Sequence, residues 1–459
     1  MEGREPREIG QHSRWQEAEE ILGYLSRLES CSIIGISNIG KSSLMRLLCE
    51  PAVLKAHLGD ASEQLVLVYI DCNRMLEMSD QGFYELVLRC VLDQLGELLR
   101  TLNLDRPVRL AYEALVSPPS PFHVPLSFNQ AITALTERLN RKLVLLFDEF
   151  DAPLEQIEGR LFLNLRALHD QYADRLAYVT ATDLRLSEIR SDDEVTEFNE
   201  LFAHHWYYLG PLNETDARRF ITAFTQREPV TFDEADIQFI LEWAGGHPGL
   251  LEAVCWELGS VTGQPIRDAF QDRIIHRQVA DRLGFSLNVR SECTKIWRRL
   301  RDEEQRALLA LFTPDQRPDP AALSSLYQRR ILISNGDDPR LFCRAFAEFV
   351  QRQRLIRRPE LRGVVIDIDS GEVYVDGKPV PTLTNLEYRL LLLLYGRMGK
   401  ICDKYEVVQS VWGEAYLDEV DDARIEKLVS RVRQKIEPDP ANPRYLITVR
   451  GRGYKLVSG

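Results

Sequence analysis

The chain has 459 residues, a formal charge of −13 and eight cysteines, a length that allows roughly three or four domains with well-buried cores. The cysteines stand singly, without C-x-x-C pairs or histidines at ligand spacing, which excludes a disulfide framework and a zinc site; the acidity excludes a chain that coats nucleic acid indiscriminately, although averaging hides any local basic face. No apolar run is long enough to cross a bilayer, and the first residues lack the basic-then-apolar order of a secretory signal, so a soluble cytoplasmic protein without a membrane partner is expected.

Cys31 to Ile36 is a short apolar run suited to a buried strand, and residues 35 to 42 fit the pattern G-x-x-x-x-G-K-[ST] at every required position. A glycine-bearing turn before a helix lets successive backbone N–H groups point at phosphate oxygens. The expected cradle is Gly35, Ile36, Ser37, Asn38, Ile39, Gly40, Lys41, Ser42 and Ser43. Lys41 would reach the β- and γ-phosphates of ATP or ADP, and Ser42 would place its hydroxyl on Mg²⁺. Ser42 to Cys49 has helical spacing of apolar positions, and Leu65 to Asp71 reads as a second strand. Ser117 to Pro125 is a proline-bearing loop.

Leu143 to Phe147 is an apolar strand that ends in Asp148 and Glu149. Downstream of a phosphate loop, such an end brings one carboxylate to the metal and another to the attacking water. Asp148 is therefore assigned to Mg²⁺ and Glu149 to polarising the water. Ala177 to Thr182 and His205 to Leu209 complete five strands alternating with helical stretches, which predicts a parallel sheet covered by helices on both faces. Because a further strand separates the phosphate-loop strand from the acidic one, the architecture of ATPases with an added catalytic glutamate is expected. Thr180 and Thr182 either sense the γ-phosphate or are simply β-branched strand residues.

Gly210-Pro-Leu, the helical stretch Glu214 to Phe224, and Trp243-Ala-Gly-Gly-His-Pro-Gly-Leu-Leu251 resemble the lid of signal-transduction ATPases with numerous domains, the STAND class. That resemblance implies Pro248 near the base and His247 near the phosphates. From the residues alone, Gly245 to Gly249 is equally a tight turn opening a helix, since proline is favoured in a first helical turn. The resemblance extends over residues 8 to 350: Ile9-Gly10 with Arg14 and Glu17 is similar to the class's N-terminal segment, where an adenine pocket would form. Residues 294 to 353 resemble the degenerate winged helix that follows the lid in this class, with helical periodicity at Leu308, Leu309, Leu311 and Phe312, then Ala322 to Arg330 and Leu341 to Phe349. This segment lacks an obvious basic reading face, which suits a spacer. Linkers are expected at Thr313 to Pro320 and Arg354 to Arg362.

From Arg424 to Gly459 nine basic residues face three acids. Ile425, Leu428, Val429, Val432 and Ile436 follow i, i+3, i+4, i+7 spacing and mark the buried stripe of a helix, which leaves Lys427, Ser430, Arg431 and Gln434 outside. Tyr445 to Val457 reads as a β-hairpin turning at Gly451 to Gly453, with Arg450 and Arg452 at its tip. Together with Leu383-Thr-Asn-Leu-Glu-Tyr, Val411-Trp-Gly and Glu437-Pro438, residues 361 to 459 resemble the DNA-binding domain of OmpR/PhoB-type response regulators. The resemblance implies a small antiparallel sheet over Val364 to Pro381, three helices and a hairpin. It places Lys427, Ser430, Arg431 and Gln434 on base edges of double-stranded DNA, and Arg450 and Arg452 on the backbone. The loop Gly413 to Val420 corresponds to the element that can contact RNA polymerase in that family, and here it is acidic. No receiver domain stands before the winged helix within these residues, so input is expected from the ATPase.

The resulting expectation is a multidomain α/β plus α+β chain. Its parts are a P-loop ATPase core over 1–209, a helical lid over 210–290, a degenerate winged-helix spacer over 291–355 and an OmpR/PhoB-type winged helix over 361–459. It would act as an ATP/ADP-switched, sequence-specific transcription regulator and slow ATPase, responding to an unknown ligand or protein and forming nucleotide-dependent homo-oligomers. The alternatives are a replication-initiator-like machine or a signalling or defence scaffold. The initiator needs an arginine supplied across a subunit interface, for which Arg160, Arg166, Arg185 and Arg190 are candidates.

Overall fold

The computed structural model describes residues 13–261, 269–284, 286–313, 316–335, 338–356, 363–366, 371–381, 383–412, 422–449 and 451–457. The chain divides into two compact units. One comprises 1–279, 294–305 and 319–344; the other comprises 280–293, 306–318 and 345–459.

The first unit is built on five strands: β1 (Cys31–Ile34), β2 (Leu65–Asp71), β3 (Lys142–Asp148), β4 (Leu176–Thr182) and β5 (Trp206–Tyr208). They form one parallel sheet in the order β2-β3-β4-β1-β5. β4 therefore lies between β1 and β3 in the sheet, whereas β2, which stands between them in sequence, lies at the edge. β3 and β4 are buried almost throughout, as parallel strands covered on both faces are. One side of the sheet is filled by an aromatic cluster in which Phe147 stacks on Phe150, with Phe162, Tyr178 and Phe198 around them. Three helices connect β2 to β3, namely Asp80–Thr101, Asp105–Val116 and His123–Arg138. The proline-bearing loop is shorter than the sequence suggests: it ends at Phe122, and Pro125 lies in the first turn of the third helix, where no backbone donor is needed.

Beyond β5, helices Glu214–Arg227, Glu234–Ala244 and Pro248–Gly259 form a small bundle. Each begins at a side-chain cap, from Asn213, Asp233 and His247 in turn. Residues 294–305 and 319–344, from the segment expected as a separate spacer, belong to this unit. They are tied together by a buried ion pair in which Arg329 donates to Glu304 at 2.6 Å.

The second unit contains the C-terminal domain. An antiparallel sheet of Val364–Ile366, Val373–Val375 and Lys378–Pro379 precedes helices Asn385–Gly396, Lys404–Val411 and Asp422–Ile436, and the antiparallel pair Leu446–Val449 with Gly453–Leu456 closes it. Its core joins Leu390, Leu391 and Leu394 to Ile425, Leu428, Val429, Val432 and Ile436. The apolar stripe read from the last helix is thus the face that packs inward.

Candidate nucleotide site and nucleic-acid interface

The phosphate loop runs from the end of β1 into helix Lys41–Leu48. Gly40 takes φ 103°, a left-handed conformation that glycine adopts without strain, and Asn38 takes φ 57°. The turn leaves the first N–H groups of the helix without intrahelical partners, where an anion is favoured. Ser42 is half-buried in the first turn and Ser43 is exposed.

Lys41 is buried, and its ammonium makes two bonds. It donates to the Gly35 carbonyl at 2.8 Å and to Asp183 Oδ1 at 2.6 Å. Asp183 directly follows β4, next to β1 in the sheet, which is why its carboxylate reaches the loop lysine. Its backbone N–H donates to Asp151 Oδ1 at 2.9 Å. The Asp151 carboxyl is pushed up to about 6, by burial first and then by the negative charge of Asp183.

Asp148 is buried at the end of β3. Tyr69 donates to its Oδ2 at 2.6 Å, and the Glu149 N–H donates to its Oδ1 at 3.0 Å. Arg46 in turn donates to the Tyr69 hydroxyl at 3.0 Å. Glu149 is exposed and takes φ 54°, a left-handed conformation unusual for this residue type. Its carboxyl is raised above the usual range, chiefly by desolvation and then by Asp148 and Asp183, against the pull of Lys41.

Among the described residues no group of three or more His, Cys, Asp or Glu is arranged to hold a metal alone. An Mg²⁺ ion held through Ser42 and Asp148 would need phosphate oxygens and water to complete its shell, the usual habit of this ion. The threonines at the end of β4 are engaged locally: Thr180 donates to Ser32 Oγ at 3.0 Å and Thr182 to the Leu184 carbonyl at 2.6 Å.

His247 is fully buried at the start of helix Pro248–Gly259. Its Nδ1 accepts from the Leu250 N–H at 3.2 Å, which assigns the proton to Nε2, and Nε2 then donates to the Ser37 carbonyl at 2.9 Å. It thus caps a helix and grips the outer backbone of the phosphate loop at once. Pro248 lines a cavity of about 840 Å³ together with Arg14, Gly40, Ser43, Arg46, Arg218 and Arg219. The size and the adjoining loop suit the remainder of a nucleotide. Arg14 holds this region together: its guanidinium donates to the Ile39 and Gly210 carbonyls and its backbone N–H to Asp216. Burial lowers its affinity for protons, offset chiefly by Glu17. Ile9 and Gly10 lie outside the described residues.

The candidate interfacial arginines are all engaged within the chain. Arg160 pairs with Glu194, Arg166 with Asp170, Arg190 with Asp192, and Arg185 lies 3.9 Å over the Trp206 ring. Sequence reading passed over Asp183 and Tyr69. Asp183 carries the same signal as Asp148, an acid directly after an apolar strand, whereas Tyr69 gives none.

In the C-terminal domain Lys427, Ser430, Arg431 and Gln434 are all exposed on helix Asp422–Ile436. Two neighbouring basic residues serve the fold instead. Arg433 donates to the Leu446 carbonyl and Thr448 hydroxyl at 2.7 and 2.8 Å, and Lys435 pairs with Glu387 at 2.6 Å. Arg452 is exposed in the hairpin turn. Arg450 and the loop 413–420 lie outside the described residues.

Residues 377–456 match the family described as transcriptional regulatory protein, C terminal. Over 93 residues the chain is 41% identical to the uncharacterized transcriptional regulatory protein YcbL of Bacillus subtilis and 41% identical to the sensory transduction protein RegX3 of Mycolicibacterium smegmatis. Each match covers 20% of this chain. The chain spans 40% of the length of these relatives. Among solved structures, it is similar to the Walker-type ATPase PABY2304 of Pyrococcus abyssi, with 16% identity over 74% of this chain and 95% of that one, at a TM-score of 0.47.

Proposed function

We propose that this chain, in which a P-loop ATPase-like fold is joined to an OmpR/PhoB-type winged helix, is an ATP/ADP-switched, sequence-specific DNA-binding transcription regulator of the STAND type. One observation carries the reading: the same chain holds a complete phosphate loop flanked by Asp148 and Glu149, and a helix that offers Lys427, Ser430, Arg431 and Gln434 to solvent. Lys41 and the first N–H groups of its helix would bind phosphate, Ser42 and Asp148 would hold Mg²⁺, and His247 and Pro248 would close the lid on the loop. Bound Mg²⁺ supplies charge neutralisation on the phosphates. Glu149 would take a proton from the water that attacks the γ-phosphorus as the bond to the β–γ bridging oxygen breaks and ADP leaves, so slow hydrolysis would reset the switch.

On the DNA, helix Asp422–Ile436 enters the major groove and Arg452 meets the backbone. To move a two-state protein from mostly silent to mostly competent, ATP must favour the competent form by roughly 5 kcal/mol over ADP. The protein assembles with itself in the ATP state under the control of a ligand or protein.

The test is selection of fragments from a random double-stranded DNA library by the full-length chain with ATP, with ADP and without nucleotide, at physiological salt. A single motif whose recovery depends on nucleotide, and whose dependence disappears in Lys41→Ala, is expected. Recovery of one motif regardless of nucleotide would sink the switch, and recovery of none would sink sequence-specific regulation.

A further inference from the structure

Lys41 is committed to a carboxylate of its own chain. Of its three N–H bonds one goes to the Gly35 carbonyl and one to Asp183 Oδ1, so a phosphate oxygen arriving at the loop meets an internal rival already seated on the lysine. The rival is itself held from a second side. Arg299 places Nε 3.0 Å from Asp183 Oδ2, one oxygen away from the lysine contact. Asp183 is 7% exposed, and a carboxylate buried to that degree is costly unless paired. Whichever of its two cations is withdrawn, the other must carry the charge.

Arg299 comes from a segment remote in sequence from the loop. Its carbonyl accepts from Arg329 at 3.2 Å, and Arg329 is anchored on the fully buried Glu304. Glu304 Oε1 also accepts from Ser325 at 2.7 Å. The carboxylate that competes for the phosphate-binding lysine is thus wired, through the Arg299 guanidinium, to residues 299, 304, 325 and 329, and Arg329 also donates to the Asp183 backbone carbonyl at 3.5 Å.

We propose that Asp183 is a built-in competitor for Lys41 that phosphate must displace, and that Arg299 relays this displacement to residues 294–305 and 319–331. The proposal rests on the phosphate-loop reading and adds the residues that set its affinity and report its occupancy. With Lys41 taken by phosphate, the Asp183 carboxylate depends on Arg299 alone and faces added negative charge, so its pairing with residues 294–305 and 319–331 changes with nucleotide. Arg299 is 58% exposed on its side chain and free to follow either partner. Both are positioning residues, because neither is asked to touch the reacting atoms.

The experiment measures equilibrium affinity of the full-length chain for fluorescent ATP and ADP analogues in the wild type, Lys41→Ala, Asp183→Asn, Arg299→Ala and the Asp183→Asn/Arg299→Ala double variant. A charge-assisted bond lost from the competing state corresponds to roughly tenfold tighter binding in Asp183→Asn. Arg299→Ala leaves the carboxylate to Lys41 alone, so it binds several-fold more weakly, and it is silent in the Asp183→Asn background. Hydrogen exchange gives the second readout: nucleotide alters protection in 294–305 and 319–331 of the wild type, and this response is lost in Arg299→Ala, a half-exposed position whose replacement leaves the core intact. Weaker or unchanged binding in Asp183→Asn overturns the competitor role, and an unchanged exchange response in Arg299→Ala overturns the relay. If the wild type binds no better than Lys41→Ala, the phosphate-loop reading itself fails and takes this proposal with it.

Discussion

Glu437 closes the last helix of the C-terminal domain and carries the hairpin that follows. It is 7% exposed. Its carboxylate accepts the backbone N–H of Arg444 at 2.7 Å on Oε2, and those of Tyr445 at 2.9 Å and Leu446 at 2.6 Å on Oε1. In Glu437→Gln one oxygen becomes an NH₂ group that faces N–H donors. One of the three donors then loses its partner outright, at about 1.5–3 kcal/mol for a bond to a charged group, and the other two fall from charged to neutral bonds at about 1 kcal/mol together or more. The hairpin base should therefore open at a cost lower by about 3 kcal/mol. Hydrogen exchange of the full-length chain measures this directly: amides of Leu446–Val449 and Gly453–Leu456 are expected to exchange roughly a hundredfold faster, while those in the middle of helix Asp422–Ile436 change far less. DNA affinity should fall as Arg452 loses its support. Exchange of the hairpin amides within threefold of wild type would refute the idea that this carboxylate holds the wing to the helix.

Other outcomes are expected from the same geometry. Arg431→Ala should weaken binding to the selected DNA motif by roughly 1–3 kcal/mol in a titration at fixed salt; an equal loss on random DNA would make Arg431 a phosphate contact. Gly245 takes φ 58°, and a Cβ there would lie 2.1 Å from the Phe342 carbonyl oxygen, so Gly245→Ala should lower the melting temperature by several degrees, and an unchanged melt would remove the packing argument. Asp151 is pushed up to about 6 from an ordinary value of 3.8. The folded state thus holds this proton more tightly than the unfolded chain. The associated stability is fully present below pH 3.8, is lost as pH rises through about 6, and appears as a cost above that. Asp151→Asn keeps an acceptor for the Asp183 N–H and removes the titration. In urea unfolding, the stability of the variant relative to wild type should therefore improve between about pH 4 and pH 7.5 by on the order of 2–3 kcal/mol. A difference that does not vary with pH would refute it.

The parts that were legible in the sequence are those whose signal is local. Periodicity marks the buried stripe of helix Asp422–Ile436, and the spacing from Gly35 to Ser42 marks a loop whose backbone does the binding. Helix Lys41–Leu48 begins where the motif requires. The bonds that hold the site together are different in kind. Arg14 meets Asp216 and Gly210 across 202 and 196 residues, and nothing in the composition near Arg14 names those partners. Asp183 is an intermediate case. Asp148 ends one buried strand and Asp183 follows another, and local pattern does not rank them. Strand order does: β4 pairs with β1 while β3 lies one place further out. The acid after β4 must therefore stand nearest the loop lysine, and the acid after β3 is left to meet Tyr69 from β2.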